Sequence, residues 1–218
     1  TLYSIFWQIA SGQSQRRQAN VDWRSFIDAA DALIGIEPEN ADAYYRRGVA
    51  WGNIGEKNAD SKDSKKGLAS FQKAIEIDDK NVTYWSAWLI LMRGIEHRDP
   101  TVNVDAGFQK AFKTNPDSAT LRILYADYLT RKDRGDEAKE QLKKAIESEP
   151  KSPSGHIAMA NYLVGLQQYD KAQAALLAAA DIDSTLAEIY LQRSRIFRIG
   201  KKLDDAVKVL QDGVAALE

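Results

Sequence analysis

The sequence predicts an all-α chain built from about six stacked helix pairs, and three observations carry that prediction. First, similar stretches recur: Phe71-Gln72-Lys73-Ala74-Ile75, Phe108-Gln109-Lys110-Ala111-Phe112 and Leu142-Lys143-Lys144-Ala145-Ile146. Counting two weaker copies, they stop at Pro38, Asp79, Pro116, Pro150 and Ser184, spaced by 41, 37, 34 and 34 residues. A fixed period of this size marks a repeat architecture. Second, apolar and small residues fall at helical spacing, as in Tyr190, Ser194 and Phe197 and then Leu203, Ala206, Val207 and Leu210. Third, breakers are few, with 5 Pro and 13 Gly in 218 residues.

Each pair can be justified in turn. A degenerate leading pair covers about 3–40, with Phe6, Ile9 and Ala10, then Phe26, Ala30, Leu33 and Pro38. The pair over 41–81 begins with Tyr44, Gly48 and Trp51, then runs seven residues long before Gly67, Phe71 and Ala74. The pair over 82–118 has Trp85, Trp88, Leu89 and Met92, then three extra residues before Val104, Phe108, Ala111 and Pro116. The pair over 119–152 carries Ala126, Leu129, Ala138, Leu142, Ala145 and Pro150. The pair over 153–186 carries Ala160, Leu163, Ala172, Leu176 and Ala179, with Ser184 in the proline slot. The last, over 187–218, carries Tyr190, Ser194, Phe197, Ala206 and Leu210, with Gly213 in an alanine slot. Small residues let paired helices approach, and large ones fill the gaps between them. Asp136-Glu137 and Asp204-Asp205 favour second-helix starts, where the macrodipole stabilises acids. Glu37-Pro38, Asn115-Pro116 and Glu149-Pro150 end second helices, because the residue before proline is pushed out of the helical region.

This pattern resembles the tetratricopeptide repeat (TPR): large at position 4, small at 8, aromatic at 11, Ala at 20, aromatic or Leu at 24, Ala at 27 and Pro at 32. The resemblance covers essentially the whole chain as a single solenoid domain, 1–218. It implies an α-α superhelix with a concave face, lined by positions 2, 5, 6, 9, 12 and 13 of each first helix. Carried onto this sequence, those positions give Tyr45, Arg46, Val49 and Asn53, then Ile90 and Arg93, then Ile123 and Asp127, then Ile157 and Asn161, then Leu191 and Arg195. The apolar members suit an extended peptide or an amphipathic helix, with Asn161 placed to pair with a bound backbone. The resemblance thus implies a non-enzymatic scaffold for a protein or peptide partner, with homo-oligomerisation through an end helix as a further possibility. It also suggests a component of a bacterial envelope assembly, such as secretion, pilus or exopolysaccharide machinery. Chaperone adaptors of the family hold a C-terminal carboxylate with Lys and Asn at set groove positions. Those positions read Tyr45, Val49, Ala87, Thr120 and Leu124 here, so that clamp is not expected.

The two long pairs are the individual features. The extra residues fall within 56–66 and 96–104, between the helices of a pair and on the same edge, and are expected as loops, whose length costs little.

Composition excludes much chemistry. Lys plus Arg is 30 and Asp plus Glu is 31, a net charge of -1, without the basic excess nucleic-acid phosphates require. With no cysteine there is no disulfide, zinc–thiolate site or thiol nucleophile. His97 and His156 are too far apart for a local metal motif, and no cofactor is expected. No run approaches the ~20 apolar residues of a membrane span, and the start at Thr1 without Met reads as an excised or processed segment. The compartment, cytoplasm or bacterial envelope, stays open.

The remaining motifs have structural explanations. Gly48-x-x-x-Gly52-x-x-Gly55 lacks the Lys-Ser/Thr of a phosphate loop and reads as close helix packing. Trp85 and Trp88 read as core, and Asn81 as a helix cap. Arg193, Arg195, Arg198, Lys201 and Lys202 read as a solvated helix end, His156 as a packing residue and His97 as solvated.

Overall fold

The computed structural model describes residues 22–58 and 61–217; the expected Phe6, Ile9 and Ala10 lie outside them. The described residues form eleven helices and no strand: α1 (Trp23–Ile36), α2 (Ala41–Asn58), α3 (Ser61–Ile77), α4 (Val82–Ile95), α5 (Val104–Thr114), α6 (Ala119–Arg131), α7 (Gly135–Ser148), α8 (Ser154–Gly165), α9 (Tyr169–Ile182), α10 (Ala187–Ile199) and α11 (Leu203–Leu217). Helices α2 to α11 are the five full pairs the period predicts, and α1 stands where the second helix of the leading pair is expected. They fall in two compact units, divided after Pro116.

In the first unit, α1 to α5, side chains cap the helices as expected. Asp22 accepts from the Arg24 and Ser25 amides, Asn81 from Thr83 and Asn103 from Ala106. Helices α2 and α3 cross on glycine. A Cβ on Gly48 would lie 2.6 Å from the buried Phe71 ring, and one on Gly55 2.5 Å from the Ser64 amide nitrogen. One on Gly67 would lie 3.1 Å from the Gly48 carbonyl oxygen. Trp85 is buried; its indole N–H donates to the Asp79 carbonyl at 2.8 Å, and its ring meets Trp88 edge-on.

The first insertion departs from expectation. Residues 56–58 continue α2 and 61–66 open α3, so most of the expected loop is helix, and the two helices reach 18 and 17 residues. The stretch contains no proline, and Glu56, Lys62, Lys65 and Lys66 are good helix formers, so extra length extends the helices. The second insertion, containing Pro100, is a loop between α4 and α5 as expected.

In the second unit, α6 to α11, the core repeats itself. Ala138, Leu142 and Ala145 of α7 are buried, and Ala172, Leu176 and Ala179 of α9 occupy the same slots. The last helix changes the pattern. Ala206, Val209 and Gly213 turn inward, and a Cβ on Gly213 would lie 2.6 Å from the Tyr190 ring, which explains glycine in an alanine slot. Leu203, Val207 and Leu210, expected in the buried stripe, point outward instead. Position 24 is buried only where another helix covers it, as for Leu142 and Leu176; among the described residues none covers Leu210.

The three tight turns of this unit are copies of one another. Asp133, Gln167 and Lys201, spaced by 34 residues, take the left-handed conformation at φ 57–58°. After each, the next amide reaches back to a carbonyl five residues earlier at 2.9 Å: Arg134 to Leu129, Gln168 to Leu163 and Lys202 to Phe197. This is a Schellman end, which caps the last free carbonyls of the first helix.

Candidate functional site

Two pockets gather half of the residues that the family resemblance places in the groove. In the first unit a cavity of about 370 Å³ lies between α2, α3 and α4. Val49, Gly52, Asn53 and Glu56 share one face of α2, at helical spacing. Ile90, Leu91 and Gly94 supply the facing wall from α4, and Arg98 continues that row from the loop beyond it. The floor is Phe71, Ser64 and Ile95, all buried. Asn53 Nδ2 donates to its own helix, to Val49 O at 2.8 Å. Ile90 is 56% exposed, large for an isoleucine in a cavity wall.

In the second unit a cavity of about 210 Å³ is lined by Ile123, Ala126, Asp127 and Thr130 of α6, Leu142 of α7, and Ala158, Asn161 and Tyr162 of α8. The Tyr162 hydroxyl donates to the Gly135 carbonyl at 2.8 Å, which ties α8 to the start of α7. Asp127 pairs with Arg131 on the same helix at 3.3 Å.

The other expected residues are placed differently. Tyr45 is half-buried, its ring 5.8 Å from Phe71 and 5.2 Å from Tyr84, so it packs between helices. Arg46 pairs with Asp42 of its own helix. Arg93 is half-buried near the end of α4. Ile157 packs against the core of Ala160, Leu163 and Leu176. Leu191 and Arg195 are exposed on α10, outside both pockets. Gly52, expected as a packing glycine, borders the first pocket: a Cβ there would meet only Leu91, at an ordinary 3.5 Å.

The residues carried onto the groove leave out Gly94, although it stands at position 13 of its pair, and Arg98 lies beyond the groove positions. The signal available in the sequence was the row Ile90, Gly94, Arg98 at four-residue spacing, which runs on from the helix into the second insertion. The loop that carries Arg98 is pinned. Asp99 is buried, accepts from the Thr101 amide at 3.0 Å and hydroxyl at 2.6 Å, and pairs with Lys65 Nζ of α3 at 2.7 Å. The two insertions therefore meet. The Lys65 ammonium and then the Thr101 donors hold the Asp99 carboxyl at a pKa of about 2, below the usual carboxylate range.

Titratable chemistry is otherwise sparse. No group of three or more metal-ligating side chains occurs among the described residues. No described helix is long and apolar enough to cross a membrane. A third cavity, of about 340 Å³, lies between α9 and α10 and is lined largely by polar side chains, including Gln167, Gln173 and Lys202.

Stacked helix pairs of this register define a helical-repeat protein. Residues 108–162 match the family model for the tetratricopeptide repeat, and the described helices around them form a helical-repeat array of the same kind. Its fold is similar to that of yeast Tom70 (TM-score 0.70, 18% identity, 95% of this chain and 42% of that one). It is also similar to a thermophilic TPR protein of Thermus thermophilus, TTC0263 (TM-score 0.61, 12% identity, 80% and 90%). A third likeness is to pilF of Pseudomonas aeruginosa (TM-score 0.57, 15% identity, 82% and 78%). The chain spans less than half the length of the yeast protein. No curated protein sequence matches it. Proteins of this family are generally non-catalytic scaffolds, and the fold is consistent with protein partners.

Proposed function

We propose that the chain works as one six-repeat scaffold that binds an extended peptide or an amphipathic helix of a partner protein, without catalysis. One observation carries this reading: Val49, Asn53 and Ile90 in one unit, and Ile123, Asp127 and Asn161 in the other, share apolar pockets with polar rims. Apolar pockets beside fixed polar groups anchor peptide side chains while the polar groups set register. The test is binding of the purified chain to an immobilised peptide array, compared with the double variant Ile90→Asp and Ile123→Asp. Ile157 is left intact because it packs on the core. Loss of binding with unchanged helicity supports the reading; a variant that binds as the parent does overturns it.

The narrower placement in a bacterial envelope assembly rests on the family resemblance. A secretion or lipidation signal encoded upstream in the gene supports it, and a gene without one counts against it.

A second reading is self-association through α11. Leu203, Val207, Leu210, Val214 and Leu217 are 39–64% exposed at spacings of four and three. Alternating Val and Leu at that spacing is the seam of a two-stranded coiled coil. Sedimentation at high concentration tests it: a dimer converted to monomer by Leu210→Glu supports it, and a strictly monomeric parent removes it.

A further inference from the structure

We propose that the pocket of the first unit recognises an apolar peptide side chain next to a carboxylate, with Arg98 as the cation that reads the acid. The inference rests on the peptide-binding reading and adds the ligand's chemistry. It starts from the insertion. Asp99, fixed by Lys65 and Thr101, anchors the loop immediately after Arg98, so the arginine is held at the pocket wall.

The guanidinium there is underused. Nη2 donates to the Gly94 carbonyl at 3.3 Å, a long bond, and Nε is buried with no hydrogen-bond partner. Five donors in a planar fork suit a carboxylate, and a charge-assisted pair is about twice as strong as a neutral hydrogen bond. Partial burial raises the value of any anion that arrives, because water screens it less. The cavity floor takes an apolar group, and the mouth has room: a Cβ on Gly94 would meet nothing within 4 Å.

Glu56 is the other charged group lining the pocket, and it stands on α2, across from the α4 wall. An acidic ligand is attracted at the Arg98 side and repelled at the Glu56 side, which orients it. Nucleic-acid phosphate is the poorer match, since the single cation faces an acid and the chain carries no basic excess.

The test uses the full chain and an array of decapeptides with a central leucine flanked by aspartate, asparagine or lysine. The aspartate set is expected to bind about tenfold more tightly than the asparagine set. Arg98→Gln is expected to abolish that difference while leaving the weaker binding of the asparagine set, and Arg98→Lys to keep part of it. Gly94→Val, which fills the mouth without changing charge, is expected to remove binding of both sets at this pocket. Equal binding of all three flanks by the parent overturns the proposal and leaves the scaffold reading standing. So does an aspartate preference that survives Arg98→Gln, or binding indifferent to Gly94→Val. Absence of binding by every peptide overturns both. Arg98 lies outside the helices, so melting of the variants at the parent temperature is expected and checks their folding.

Discussion

The place between the two helices of a repeat has opposite solutions in the two units. In the second unit, the chain turns three times through a left-handed residue, Asp133, Gln167 or Lys201, closed by a backbone bond of 2.9 Å. In the first unit, the same place holds Gly55 and Glu96, and the chain is longer there. One insertion lengthened two helices; the other made a loop whose Asp99 pairs with the first. A tight turn returns the chain within a few residues, and its contribution to the face beside it is short, as with Gln167 and Lys202 at the third cavity. The insertions bring Glu56 and Arg98 to the rim of a pocket. Regularity therefore supplies the stack, and departures from it supply the chemical individuality.

The contrast can be broken most severely at position 24 of the repeat. Phe108 is fully buried, so Phe108→Ala is expected to cost about 3–5 kcal/mol. Leu210→Ala, at the same position on the half-open last helix, is expected to cost under about 1 kcal/mol. Denaturant unfolding of the two variants checks this, and equal costs would mean that the outer face of α11 is covered in solution.

A smaller effect separates glycine packing from alanine packing. Gly48→Ala places a Cβ 2.6 Å from the buried Phe71 ring, so that ring or helix must shift, and is expected to cost about 1–3 kcal/mol. Its measured stability tests whether α2 and α3 need this closeness.

The repeated turns give a change of opposite sign. Gln167→Gly relieves a left-handed conformation that L-residues adopt at a cost of about 1–2 kcal/mol. Part of that gain is offset by the greater freedom of glycine in the unfolded chain. A net rise of about 0.5 kcal/mol is expected, visible as a higher melting temperature. A fall would show that the turn is not strained.

The smallest effect depends on pH. Asp99 has a folded pKa of about 2, below the ordinary 3.8, so its contribution favours the folded state once the unfolded chain has ionised. That contribution is present above roughly pH 4 and is lost as pH falls toward about 2. Asp99→Asn is thus expected to melt below the parent at neutral pH, with a gap that closes over that acid range. A gap unchanged between neutral pH and pH 2 would contradict the pairing with Lys65.

The pair boundaries at Ala41, Val82, Ala119 and Ala187, the buried Ala and Leu slots, and the stops before Pro38, Pro116 and Pro150 were all legible in the residues. Each depends on helical spacing, capping or proline geometry within one repeat, and the period then copies it. The lining of the two pockets was partly legible. The family positions found Val49, Asn53, Ile90, Ile123, Asp127 and Asn161, but they also named Ile157, which the core takes up, and Arg46, which its own Asp42 engages. Identical repeat positions do not have identical neighbours.

The sequence by itself determined the helices, their pairing and the period of the core, because those follow from short-range spacing repeated along the chain. Tertiary structure alone decided that Lys65 meets Asp99, that Arg98 borders a pocket 42 residues from Glu56 in sequence, and that Val209 faces inward while Leu210 does not. Such meetings depend on how far each helix extends and on what packs over it. No local periodicity encodes either one.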